Sequence, residues 1–449
     1  MKKSNHIIIV IIILLSGSCR KSDYYADLTE CITDNGEGTG TITWTSDHEY
    51  LLDGFVFVND GQTLTIEAGT VIRARTGQGE NASALIVARG GRIIARGTPD
   101  SPIIFTVEGD DLNGSVPIYA DGLWGGLILL GNAPLNTSEG EGRIEGIPSW
   151  EPRGIYGGTY DADNSGILKY ISVRHGGTNI GEGNEINGLT LAGVGNQTII
   201  EFVEVVSNAD DGFEFFGGKV NCRYLISAFC EDDAFDFDLG FQGKGQFFLG
   251  IQKNGRGNFL AEHDGGSIPE YAQPYTNPLL YNITYIGNGI HSENAIASFQ
   301  RNGAGRYLNS IFINQQFTIA IEDKDAVHDS YDQFLDENIS FRNSIFYQTG
   351  NNDMSKVFEK FTLYSTIYTE IENSSGYFSS WQNVFEDPGI QIQDEHIYII
   401  PNSSAYTNLA AIPNEWFIQV NFKGAFGSVN WARQWTYLDE NGFLLPDDW

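Results

Sequence analysis

The chain has 449 residues, and its 58 acidic against 26 basic side chains give a formal net charge of −32. Such a field repels nucleic acid and anionic lipid headgroups, and it attracts hard cations such as calcium or a basic protein surface. Four cysteines without framework spacing mean that the fold does not depend on disulfides; Cys222 and Cys230 are near enough either to pair or to be two buried thiols.

Lys2 and Lys3 form a positive start, His6 to Leu15 is an almost unbroken apolar run, and Ser16-Gly17-Ser18 supplies small residues before Cys19. That is a secretory signal, too short to span a bilayer, and a cysteine directly after the small residues points to lipidation. Residues 1–18 are therefore expected to be a signal peptide and 19–40 a lipidated, flexible tether ending in Asn35-Gly36-Glu37-Gly38-Thr39-Gly40. The expected location is the outer membrane, on the cell surface, held by the lipid on Cys19.

The body then reads as short strands. Leu64–Ile72, Ala84–Ala88, Gly91–Thr98 and Trp124–Gly131 are apolar β stretches with glycines at the turns. Further on the chain repeats itself: Asp210-Asp211-Gly212-Phe213-Glu214-Phe215 matches Asp232-Asp233-Ala234-Phe235-Asp236-Phe237 at an offset of 22 residues. Twenty-two β-rich residues are too few for a helical hairpin but suit a coil of three strands and three turns. Lys169–Val173, Gln246–Gly250, Asn282–Tyr285, Asn309–Phe312, Asn343–Phe346 and Ser365–Tyr368 extend the series. The fold class is thus all-β, a right-handed parallel β-helix solenoid over residues 41–380. Stacked coils would align Asn282, Asn309 and Asn343 as an amide ladder, each bonding the next. Residues 381–449 are expected to be terminal rungs and an aromatic-rich cap, with Trp416, Trp431, Trp435, Phe422 and Phe426 hiding the open end.

The stretches "DGQTLTIEAGTVIRA", "ALIVARGGRIIARGTPDSPIIFT", "GLWGGLILLGNAPLN", "NEINGLTLAGVG", "DDGFEFFGG" and "GAFGSVNWARQWTYL" resemble Bacteroidota surface and secreted right-handed parallel β-helix proteins over residues 41 to 437. The resemblance implies that fold and a surface or secreted role, without one established activity. Many such proteins carry a C-terminal sorting domain for type IX secretion; it is absent here, so anchoring is expected to fall to Cys19.

The stacked acids are the sharpest candidate site. Asp210, Asp211, Asp232 and Asp233 should share one turn of neighbouring rungs, and Glu214 and Asp236 should point outward while the flanking phenylalanines point in. Like charges at that spacing repel unless a proton or cation intervenes, and calcium accepts six to eight oxygens in irregular geometry. Alternatively the aspartates cap turn amides. A catalytic reading would use His263, Asp264 and Asp233, with Glu262 and Arg301 nearby. Asp161-Ala162-Asp163-Asn164-Ser165-Gly166 matches half of a calcium loop, or a plain Asp/Asn turn, with Asp161 and Asp163 as the ligands.

Three functions fit: a lipid-anchored binding or adhesion protein recognising glycan or a partner protein along the helix face, a polysaccharide-active glycosidase or lyase, or an accessory lipoprotein of an outer-membrane complex. The first is preferred. Cys19→Ala should release the folded protein from the membrane fraction after signal cleavage, and persistence in washed membranes would contradict lipid anchoring.

Overall fold

Strands this short cannot pair within their own coil, so each takes its backbone partners from the coils above and below. A computed structural model describes residues 29–446 except 182–183, 254, 267–268, 325–327, 363–366, 394–395 and 414–415. The signal segment and Cys19 lie outside the described residues. Among the described residues no helix is long and apolar enough to cross a membrane.

The body is a parallel β-helix. Its three ladders run the length of the solenoid, two of them joined into one 18-stranded sheet and the third forming a separate 11-stranded sheet. The first ladder includes Thr63–Ile66, Arg92–Arg96 and the first half of Gly166–Arg174; the second includes Val71–Ala74, Ile103–Val107 and the second half of Gly166–Arg174. The third passes through Ala84–Val87, Leu127–Leu130, Leu189–Ala192, Phe213–Phe216, Phe235–Asp238 and Ala261–Asp264. The 22-residue offset is the pairing register: Val203 opposes Leu225, Phe213 opposes Phe235, and Glu214 opposes Asp236. One continuous apolar core runs from Trp44 to Trp381. Within it Phe213 stacks on Phe235 at 5.3 Å and Phe215 on Phe237 at 5.0 Å.

The helix begins earlier than its sequence suggests. Thr29–Ile32, expected inside the tether, pairs in parallel with Glu49–Leu52, and Asp34 accepts the Phe57 amide at 3.0 Å. Residues 29–40 are thus part of the first coil, because the exposed edge of Glu49–Leu52 needs a partner. At the far end, Val384–Phe385 pairs with Ile345–Phe346 and continues that ladder, while residues 365–366 of the expected Ser365–Tyr368 rung lie outside the described residues. The helix Ser374–Ser380 closes this end, with Phe378 against Phe346 and Trp381 against Phe334 and Phe358.

The corner between the first two ladders is a single residue in the left-handed region: Tyr170, Phe202, Tyr224, Phe247, Asn282, Asn309 and Asn343, with φ from 51° to 63°. Asparagine tolerates that conformation, whereas an aromatic residue is strained there and needs compensation. The rings supply it by stacking: Tyr170 on Phe202 at 4.4 Å, Phe202 on Tyr224 at 4.1 Å, and Tyr224 on Phe247 at 4.8 Å.

The aromatic C-terminal segment covers this corner. It leaves the last coil and returns along the flank of the helix, as a strap. Asn343 donates to the Asn408 carbonyl, Asn309 exchanges two bonds with Ala410 (2.7 and 3.0 Å), and Asn282 donates to Phe422 at 2.7 Å. The expected ladder of asparagines bonding one another is therefore corrected: a left-handed corner turns these side chains outward, where the strap is their partner. Trp431 and Trp435 meet the stacked rings edge-on. Beyond them, the buried Glu204 carboxylate accepts the Tyr437 and Leu438 amides at 2.7 and 3.1 Å, beside Arg174, which pairs with Glu440 at 3.0 Å.

Asn309→Ala should lower stability by about 1–3 kcal/mol, the range for leaving buried polar partners unpaired. Asn309→Gly keeps the left-handed corner and removes only the two bonds. Both variants should expose the 386–446 strap to limited proteolysis, and unchanged cleavage would show that these bonds do not hold it.

Candidate functional site

Alternation sends Phe213, Phe215, Phe235 and Phe237 into the core, and so it sends Glu214 and Asp236 to the outer face of the third ladder. Parallel pairing aligns Thr190, Glu214, Asp236, Glu262 and Ser298 in one column across successive coils. Asp238 and Asp264 stand two residues further along their strands, on the same face. An insertion packs Leu135, Ile144, Ile147 and Tyr156 over Ile128, Ala192 and Phe216, and so roofs one end of this face. It also delivers Glu145 to the cluster, where Asn187 donates to both Glu145 (3.4 Å) and Glu214.

The acids are crowded. Ligand oxygens of Asp210, Asp211 and Asp232 lie within 4.8 Å of one another, as do those of Asp211, Glu214 and Asp236, so Asp211 belongs to both groups. Asp211 and Glu214 are 7% exposed and Asp236 is 9% exposed, and Oδ1 of Asp236 is buried without a hydrogen-bond partner. Burial first, then the neighbouring carboxylates, pushes Asp211, Glu214, Asp236 and Asp238 well above the ordinary carboxylate range. Glu262 is pushed up to about 7 by burial and by Asp264. An all-oxygen donor set with an unsatisfied inner oxygen has the chemistry of a hard-cation site.

Residues 36–385 match the model of the pectate-lyase-like β-helix domain. The chain belongs to that family. No curated protein and no solved structure matches it. The family's β-helix is consistent with polysaccharide-related binding or activity.

Within this family member the expected site residues separate. Asp210, Asp211, Asp232, Glu214 and Asp236 come together as their spacing predicts. Asp233 lies outside both groups: its Oδ1 accepts the Phe259 amide at 2.6 Å, while Asp211 accepts the Asp233 amide at 2.8 Å. Each of these two aspartates therefore also caps a turn of the next coil, as the alternative reading held. His263 is corrected from candidate base to core residue. Glu262 and Asp264 take the outward positions, which leaves His263 inward, stacked between Phe237 (4.9 Å) and Phe299 (4.4 Å). Its Nε2 meets the Tyr307 hydroxyl at 2.8 Å, and burial pushes it down to about 3, so it is neutral and enclosed. Asp264 pairs with Arg301 and accepts the Gly266 amide at 2.6 Å.

The half calcium loop is a turn. Asp161 is paired with Lys219 at 2.7 Å, and the buried Asp163 is 3.3 Å from both the Gly195 amide and the Ser165 hydroxyl. Cys222 and Cys230 are free buried thiols, Cys230 lying 3.5 Å from the Ser227 hydroxyl. Asp238 joins the cluster by alternation from Asp236 and could have been read from the repeat. Glu145 belongs to an insertion without a repeat partner, and nothing in its local sequence places it there.

The raised carboxyl of Glu262 fixes a sign. Its neutral form suits the folded state, so its contribution to stability is full below the ordinary value of 4.5 and is lost as pH rises through about 7. In a chelator, Glu262→Gln should flatten that part of the decline in melting temperature. A profile identical to that of the unmodified protein would mean that Glu262 ionises freely.

Proposed function

We propose that the protein is a lipid-anchored, cell-surface polysaccharide-binding protein that holds calcium on the outer face of its third ladder. The observation that carries this reading is the crowding of the Asp211, Glu214 and Asp236 oxygens within 4.8 Å of one another, with the buried Oδ1 of Asp236 receiving no hydrogen bond. A divalent cation turns the mutual repulsion of these carboxylates into attraction, and an ion on a helix face supplies free coordination positions for sugar hydroxyls. The family's β-helix supports a glycan as the ligand, and the signal layout before Cys19 supports the anchor. The core position of His263 favours binding over a mechanism that would use this histidine as a base.

Calcium should raise the melting temperature of the metal-stripped protein. At a concentration a hundred times its dissociation constant, ligand linkage adds about 2.7 kcal/mol. Glu214→Gln combined with Asp236→Asn should abolish that gain while retaining shape. A stripped protein that melts identically with and without calcium would reduce the cluster to turn caps and protonated acids.

A further inference from the structure

The anchor and the fold meet at one end of the solenoid. Thr29–Ile32 is already the first strand, and Thr29 follows Cys19 by only ten positions. Fully extended, ten residues reach at most about 35 Å. A membrane that holds a lipid on Cys19 therefore lies within that distance of the first coil.

At the same end an aromatic side chain is held in the open. Trp150 is 75% exposed, more than any other large hydrophobic side chain among the described residues. It belongs to the insertion that roofs the third ladder, inside the hairpin formed by Glu141–Arg143 and Ile155–Gly157. The turn Pro148-Ser149-Trp150-Glu151 is closed by the Glu151 amide, which donates to the Pro148 carbonyl at 2.9 Å. Arg153 grips the Glu151 carboxylate through Nε at 2.8 Å and Nη2 at 2.7 Å. Its Nη1 reaches Asp34 at 2.7 Å, and its guanidinium lies 3.8 Å over the Phe57 ring. Asp34 comes just after the first strand, so the turn that presents Trp150 is fixed to the first coil. A hollow of about 300 Å³ beside the indole is walled by Phe55, Phe57 and Pro148. Ile42 adds apolar area at this end. It stands next to the buried Leu64 in an inward column and is still 43% exposed.

We propose that this end of the solenoid rests on the membrane that carries the anchor, with Trp150 inserted between lipid headgroups and acyl chains. Tryptophan suits that zone, because its ring is apolar and its N–H still finds a polar partner there. The closed turn and the Arg153 clamp hold the ring in place beforehand, so little freedom is lost on insertion. A contact driven by charge fits poorly. The chain carries a net charge of −32, and the arginine at the turn is already paired with Asp34 and Glu151. One lipid and one inserted ring together fix an orientation that a lipid on a loose tether does not. Glu214 and Asp236 then stand four and five strands along the third ladder from Phe55–Val58, about 20–25 Å at the strand spacing, clear of the lipid. The inference rests on the anchor reading above for the presence of a membrane, and its test supplies a tether of its own.

The chain from Cys19 onward is coupled through its unacylated Cys19 thiol to phosphatidylcholine vesicles that contain a maleimide lipid. Cys31→Ser removes the exposed competing thiol, while Cys222 and Cys230 are buried. Lipids brominated near the carbonyl end of their acyl chains should quench tryptophan fluorescence. Trp150→Phe should remove most of that quenching and leave the melting temperature unchanged, since the side chain is exposed. High salt should leave the quenching in place. Absent quenching, or quenching that survives Trp150→Phe, would overturn the proposal. Quenching lost in high salt would do the same, by making the contact electrostatic. Acylation is read separately, from the mass of the native N-terminal peptide. An unmodified Cys19 would sink the anchor reading, and the coupled chain would still report whether this end enters lipid.

Discussion

Parallel pairing between coils places each residue at the strand spacing above its counterpart, and every other feature of this protein answers to that. Apolar residues gain from it without limit, since phenylalanine over phenylalanine fills an interior column at 5.0–5.3 Å. Charged residues do not. A column of like charges must find protons, counter-ions or opposite charges, because neighbouring coils cannot slide apart without losing their backbone hydrogen bonds. The two charged faces resolve the conflict differently. Around Glu201 the sequence alternates sign, so Lys169 and Arg223 neutralise it from either side. Along Glu214, Asp236 and Glu262 it does not, and burial deepens the repulsion.

The corner column shows the same stacking acting on the backbone. A left-handed residue recurs at each coil, and asparagine adopts that conformation at little cost, whereas tyrosine and phenylalanine do not. Stacking of the four rings compensates for the strain but leaves a broad apolar strip on the flank. The strap covers that strip with Trp431 and Trp435. Further along it satisfies the outward-turned amides of Asn282, Asn309 and Asn343. One C-terminal segment thus serves two chemically distinct halves of one column. Its docking end is held by Glu204, whose carboxylate receives the first amides of the short helix Tyr437–Glu440.

The strap also reaches the first ladder. Trp416 reaches Arg223 only because the chain returns along the flank, so a residue near the C-terminus walls a groove whose cations lie between residues 96 and 223. The acidic face is built comparably, since Glu145 arrives on an insertion that roofs the third ladder. In both places the regular coils supply an aligned row of side chains, and an irregular segment supplies the wall beside it.

Whatever depends on periodicity was legible in the residues alone. The 22-residue repeat specified the parallel β-helix, the register of Phe213 on Phe235, and the gathering of Asp210, Asp211, Asp232, Glu214 and Asp236, because alternation and coil length convert spacing directly into position. It also held the phase that puts His263 inside, since Glu262 and Asp264 on either side must then face out, but a histidine between two acids reads as chemistry until its stacked neighbours are seen. The places of the non-repeating parts emerged only in three dimensions. The asparagines proved to be corners bonded to a strap, the aromatic segment proved to lie along the flank, and Glu145 and Trp416 came to lie beside coils far away in sequence. The physical reason is that a repeat encodes its own neighbours, whereas an insertion or a returning segment finds its place through surface complementarity, which no local spacing records.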